Sequence, residues 1–93
     1  MHFILIDPKT VTNSPYSNMQ IASFLEIHLE KYGDKKQDIL KAIEYTQNPL
    51  KGGFVLLSIE NNNIIGAVVI NKTGMDGYIP ANILVYIAID KNY

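Results

Sequence analysis

The chain has 93 residues, a formal net charge of −1, 47% hydrophobic residues and no cysteine. That length bounds it to one domain, and the apolar content excludes a disordered chain. The absence of cysteine removes disulfides, thiolate zinc sites and a cysteine nucleophile together. Acids and bases are interspersed, so no basic face is available for nucleic acid. The densest positive cluster, Lys35-Lys36, is expected on a solvated surface near a helix start. Apolar runs of about seven residues are too short to span a bilayer. The opening Met1–Pro8 has no basic segment and no small-residue cleavage site, which argues against a signal peptide and for a cytoplasmic location.

His2–Ile6 reads as a short strand, stopped by Asp7-Pro8 because proline cannot donate to a ladder. Lys9–Pro15 is polar and turn-like. A helix is then expected from about Tyr16 to Tyr32, capped by Ser14 or Ser17 with Pro15 in its first turn. Ile21, Phe24, Leu25 and His28 recur at helical spacing, and Leu29 and Tyr32 continue the stripe. Gly33 supplies the stop. Asp34, with Gln37 three residues on, forms a capping-box pattern for a second helix. That helix buries Ile39, Leu40 and Ile43 and ends near Gln47, ahead of Asn48-Pro49. With almost no linker between them, the two helices are expected to form an αα pair.

Lys51-Gly52-Gly53 leads into the strand-rich third. Phe54–Glu60 and Ile64–Thr73 flank Asn61-Asn62-Asn63, a hairpin signal because asparagine tolerates positive φ. Gly66 marks a bulge or a close backbone approach. Gly74–Gly77 is a second turn. Pro80 delays the last strand to about Asn82 or Ile83. Strict alternation in that strand places Ile83, Val85, Ile87 and Ile89 on one face and Leu84, Tyr86 and Ala88 on the other. Both faces are apolar, so the strand calls for cover on both sides and partners on both edges. The expected fold is a mixed α/β domain of α+β type: strand, helix, helix, then a three-stranded antiparallel meander with the helices on one face.

Chemistry-bearing residues are sparse. His2 reads as a frayed terminal residue and His28 as a partly buried structural one; their spacing matches no metal site. The acids are scattered over helix faces and turns, and the strand runs hold no interior carboxylate to serve as a base. Tyr78 and Tyr86 lie around the last strand. Asn71-Lys72-Thr73-Gly74 and Asn82 are polar positions at strand ends, where ligand contacts are common. No phosphate-binding glycine loop occurs, since no helix follows either glycine pair at the required spacing.

The order and spacing of Gly53–Glu60, Ile64-Ile65-Gly66-Ala67-Val68-Val69-Ile70 and Ile83–Tyr93, after a first strand and two helices, resemble the GCN5-related N-acetyltransferase superfamily. The resemblance covers nearly the whole chain. It implies transfer of an acetyl group from acetyl-CoA to an amine, by direct attack of the neutral amine on the thioester. It also implies that backbone groups at Ile87, Ala88 and Ile89 pair with the pantetheine arm, beside a slot opened by a bulge in that strand. Asn82 and Tyr86 are the candidate substrate-binding residues. The position where relatives often carry a glutamate base holds Ile83, so no catalytic base is assigned. The family's Arg/Gln-x-x-Gly-x-Gly/Ala pyrophosphate loop does not occur in the 93 residues. The resemblance therefore implies the N-terminal half of the fold, with neither tight acetyl-CoA binding nor turnover expected of these residues. An apolar last strand is also a pairing template, so a two-fold dimer through Ile83–Ile89 is expected. Two other classes remain: a non-catalytic interaction module that self-associates through the last strand, and a small-ligand domain with Tyr78 and Tyr86 lining a cleft.

Overall fold

A computed structural model describes residues 1–29, 35–74 and 81–93. Strand β1 (His2–Ile6) is followed by a short 3₁₀ turn (Val11–Asn13), helices α1 (Asn18–His28) and α2 (Lys36–Gln47), and strands β2 (Gly53–Glu60), β3 (Asn63–Lys72) and β4 (Asn82–Ile89). The strands form one sheet in the order β1-β2-β3-β4. Every neighbouring pair is antiparallel. The architecture is α+β, as the residue pattern implied.

The connection after β1 is held by Asp7. Its carboxylate accepts hydrogen bonds from the Lys9 and Thr10 backbone N–H groups and from the Thr10 hydroxyl. Desolvation pushes the Asp7 carboxyl upward, but these donors outweigh it and hold the group below its ordinary value of 3.8. Helix α1 starts later than the tyrosine expected to open it. Ser17 is its N-cap, and a complete capping box links the Ser17 hydroxyl to the Gln20 N–H and the Gln20 side chain to the Ser17 N–H. Ser14 is spent on the backbone of Tyr16, so Pro15 and Tyr16 stay outside the helix. The expected stop at Gly33 and cap at Asp34 lie outside the described residues, as does Tyr32. The N-cap of α2 is Lys35, which makes no side-chain cap. The helix ends at Gln47, ahead of Pro49.

The two helices pack on one sheet face. Ile21 and Leu25 of α1 and Ile39 and Ile43 of α2 meet Ile6, Val55, Leu57, Ile59 and Val69, all essentially without solvent exposure. Each such side chain contributes about 1.5–3 kcal/mol by leaving water. Reciprocal amide hydrogen bonds between Asn18 and Gln47, 2.9 and 2.6 Å long, tie the start of α1 to the end of α2. The Lys36–Glu26 pair, 3.9 Å apart and partly exposed, adds little.

The β2–β3 turn is built on Asn61 and Asn62, with φ of 51° and 64°. That is the left-handed region a two-residue hairpin requires. His2 is not frayed; it pairs with Ile59. The register slips once on each side of β3. Ser58 faces Gly66 and Ile59 faces Ile64, leaving Ile65 as the extra residue. Gly66 also sits where backbones approach: a Cβ there would lie 3.3 Å from the Ser58 hydroxyl oxygen. On the other side, Val69 faces Tyr86 and Ile70 faces Leu84, so Val85 is the extra residue of β4.

Candidate functional site: the bulged outer strand

The bulge at Val85 changes which side chains of β4 share a face. Tyr86 lies opposite Val69, and Ala88 opposite Ala67, on the helix side. Ile87 and Ile89 lie opposite Val68 and Gly66, on the side away from the helices. Leu84, opposite Ile70, joins Ile87 and Ile89 and not Tyr86 and Ala88. Strict alternation fails here because a bulge inserts one residue without a cross-strand partner.

The sequence-selected residues are therefore split. Ala88 is buried, while Ile87 and Ile89 are more than half exposed. Tyr86 is half-buried against the core. Asn82 is exposed at the far end of the strand, opposite Lys72. Lys72 and Val69, their partners on β3, are three steps apart, and a rise of about 3.3 Å per step places Asn82 roughly 10 Å from Tyr86. Tyr78 lies outside the described residues.

The backbone of β4 has a direction that the register settles. The Asp90 N–H donates to the Ile65 carbonyl at 2.8 Å, so Asp90 points its main-chain groups toward β3. Alternation along an antiparallel strand turns Ala88 and Tyr86 the same way, and turns Ile87 and Ile89 toward the outer edge. No described strand pairs with that edge. Two N–H groups and two carbonyls thus face outward beyond the bulge.

At the C-terminal end of β4 lies a cleft of about 730 Å³. Tyr16, Gln20 and Phe24 line it from the α1 side, Asn62 from the hairpin turn, and Asp90 and Tyr93 from the chain end. The Tyr16 hydroxyl donates to the Asn62 carbonyl at 3.0 Å, closing one wall. Behind Phe24 stands His28, its ring 4.4 Å from the phenyl ring and tilted to it. His28 Nε2 is 3.8 Å from Asp90 Oδ2, and Asp90 Oδ1 accepts from the Asn92 N–H. His28 Nδ1 is buried without a partner among the described residues. Among the described residues the cleft holds one carboxylate and three aromatic rings, a set that suits a cationic or hydrogen-bond-donating group. Asp90 is the residue that reading the sequence passed over. Its local signal, Asp90-Lys91-Asn92 after an apolar strand, reads only as a turn.

The opposite end of the sheet is basic. Lys9, Lys51 and Lys72 line a hollow of about 440 Å³ with Asp7, Gly52 and Gly53. Lys51 lies 5.1 Å from the centre of the Tyr45 ring, and the Tyr45 hydroxyl donates to the Lys72 carbonyl at 2.7 Å. Among the described residues, no three His, Asp or Glu side chains are grouped as a metal site requires. No helix among them is long and apolar enough to cross a membrane.

Comparison with known proteins gives no relative from which a function could be carried over: no family model, curated protein or solved structure matches the chain.

Proposed function

We propose that these residues form the N-terminal half of a cytoplasmic N-acetyltransferase of the GCN5-related type, which moves acetyl from acetyl-CoA to an amine. The observation that carries this reading is the outer edge of β4. A bulge at Val85 precedes two residues, Ile87 and Ile89, whose main-chain groups face outward. An extended pantetheine arm carries amide donors and acceptors and can add to such an edge as a further strand does. The order of strand, two helices and antiparallel meander supports the same reading. In the reaction a neutral amine attacks the thioester carbonyl, the C–S bond breaks and the CoA thiolate leaves. The amine gives up its proton to a base or a water chain. The contribution of β4 is to hold the thioester in place for attack.

Without a phosphate-gripping loop in the 93 residues, the arm alone supplies affinity. Dissociation constants near 1 mM, about 4 kcal/mol of binding, are expected. Amide spectra of the labelled chain titrated with acetyl-CoA test this. Shifts centred on Tyr86–Ile89 at millimolar ligand support the reading. Unmoved β4 amides in a folded chain overturn it, and micromolar binding refutes the expected weakness.

A second reading is favoured by a separate observation. Ile83, Leu84, Ile87 and Ile89 are 49–63% exposed. In this reading the chain is a non-catalytic interaction module, and β4 joins a second copy through Ile83–Ile89. Sedimentation across a wide concentration range tests it; a monomer throughout excludes it.

A further inference from the structure

Eleven residues on the sheet face turned away from the helices form three cross-strand rows. The first is Phe3, Ser58, Gly66 and Ile89. The second is Leu5, Leu56, Val68 and Ile87. The third is Phe54, Ile70 and Leu84. None of the eleven is charged, and Ser58 alone carries a polar side chain. Phe3, Leu5, Leu84, Ile87 and Ile89 are 48–63% exposed, and Phe54, Leu56, Val68 and Ile70 are partly so.

We propose that this face is the interface of a two-fold homodimer, with the axis lying along the middle row. This rests on the self-association reading above and assigns its surface to the sheet face, leaving the outer edge of β4 free. Two features select a second copy as the occupant. The first is area. At these exposures, with roughly 200 Å² for a fully exposed large apolar side chain, the rows present roughly 700–800 Å². A standard interface takes about 800 Å² from each partner, and a typical monomer's largest apolar patch is about 300–600 Å².

The second feature is shape. The first row has its two smallest members, Ser58 and Gly66, at its centre. They floor a hollow of about 260 Å³ walled by Phe3 and Ile89. The third row is bulky throughout. An axis across the strands, along the middle row, lays the bulky row of each copy over the hollowed row of the other. The patch is then self-complementary, as a two-fold interface must be. The middle row of each copy meets its own counterpart.

Sedimentation equilibrium of the whole chain, with Leu5→Lys, Ile87→Lys and Ile83→Lys variants, tests this. Leu5 is on β1, three strands from the β4 edge, and Ile87 is on β4; a face interface alone contains both. Ile83 lies off the three rows. The wild type and the Ile83→Lys variant are expected to dimerise. Leu5→Lys and Ile87→Lys are expected to weaken dimerisation at least about a hundredfold, because two-fold symmetry buries each new charge twice. Their far-UV circular dichroism is expected to stay unchanged. A monomeric wild type overturns both the face and self-association. A dimer lost with Ile83→Lys but kept with Leu5→Lys overturns the face and leaves self-association through the edge. Amide exchange gives a readout independent of any variant. Rapid exchange at the Ile87 and Ile89 N–H groups in the dimer agrees with the face; protection there overturns it.

Discussion

Replacing Gly53 by alanine tests the junction between the helices and the strands. Gly53 opens β2 with φ of 127° and pairs with Asn71. A Cβ built on it lies 2.1 Å from the Ile70 carbonyl oxygen, 3.0 Å from Asn71 Cα and 3.1 Å from the Ile70 carbonyl carbon. All three are backbone atoms of β3, so relief requires the β2–β3 pairing to shift. The strained dihedral alone costs about 1–3 kcal/mol. Adding the forced displacement brings the loss to about 4 kcal/mol, in a chain whose total stability is roughly 5–14 kcal/mol at typical values per residue. Gly74 is the matched control. Its φ is 73°, and no atom of the described residues lies within 4 Å of its Cβ position. Alanine there costs about 1 kcal/mol of left-handed strain, partly offset by a less flexible unfolded chain. Urea unfolding followed by circular dichroism separates the two. With a slope of about 1 kcal/mol per molar urea, Gly53→Ala lowers the midpoint by about 4 M or leaves the chain unfolded, and Gly74→Ala lowers it by about 1 M or less. Equal midpoints for the two variants would refute the steric reasoning.

Two further perturbations probe the local signals. Ser17→Ala removes the hydroxyl that accepts from the Gln20 N–H and is expected to cost about 1 kcal/mol; a thermal melt unchanged from the wild type would show that the cap carries no stability. Asp7 is held below 3.8 in the folded chain by its donors, so its contribution is complete above that pH and fades as pH falls through the lowered value. Exchange at the Lys9 and Thr10 amides should rise on acidification relative to an Asp7→Asn chain, and identical profiles would refute the coupling.

Much of the fold is legible because its signals are local. Two asparagines tolerate the positive φ of the hairpin turn, Pro49 stops α2, and the apolar strand runs name their own elements. Gly66 marked the neighbourhood of a bulge, although the extra residue is Ile65. The bulge at Val85 carries no such mark, since every residue from Ile83 to Ile89 suits a strand in either register. It is set by pairing with β3, and it moves Leu84 to the other face. Of the two serines expected to cap α1, Ser17 does so; the two are alike in propensity, and the Gln20 side chain reaching back to the Ser17 N–H decides between them. The approach of His28 to Asp90 joins residues far apart in the chain, and no spacing rule reports such a meeting. The part of the site on β4 was readable as a strand, whereas the direction of its main-chain groups required the register.

The pairing of β1 with β2 gives the chain an order of assembly. The β2–β3 hairpin closes over two residues and β4 adds beside it, so those contacts are close in sequence. His2, by contrast, must find Ile59 across both helices. Closing that long loop before the hairpin exists would cost chain entropy with no ladder to offset it. Synthesis delivers β1 first, and it waits, apolar and unpaired, until β2 has emerged. Folding rate is therefore expected to depend on the hairpin and its asparagine turn, with changes in β1 acting mainly on the rate of unfolding.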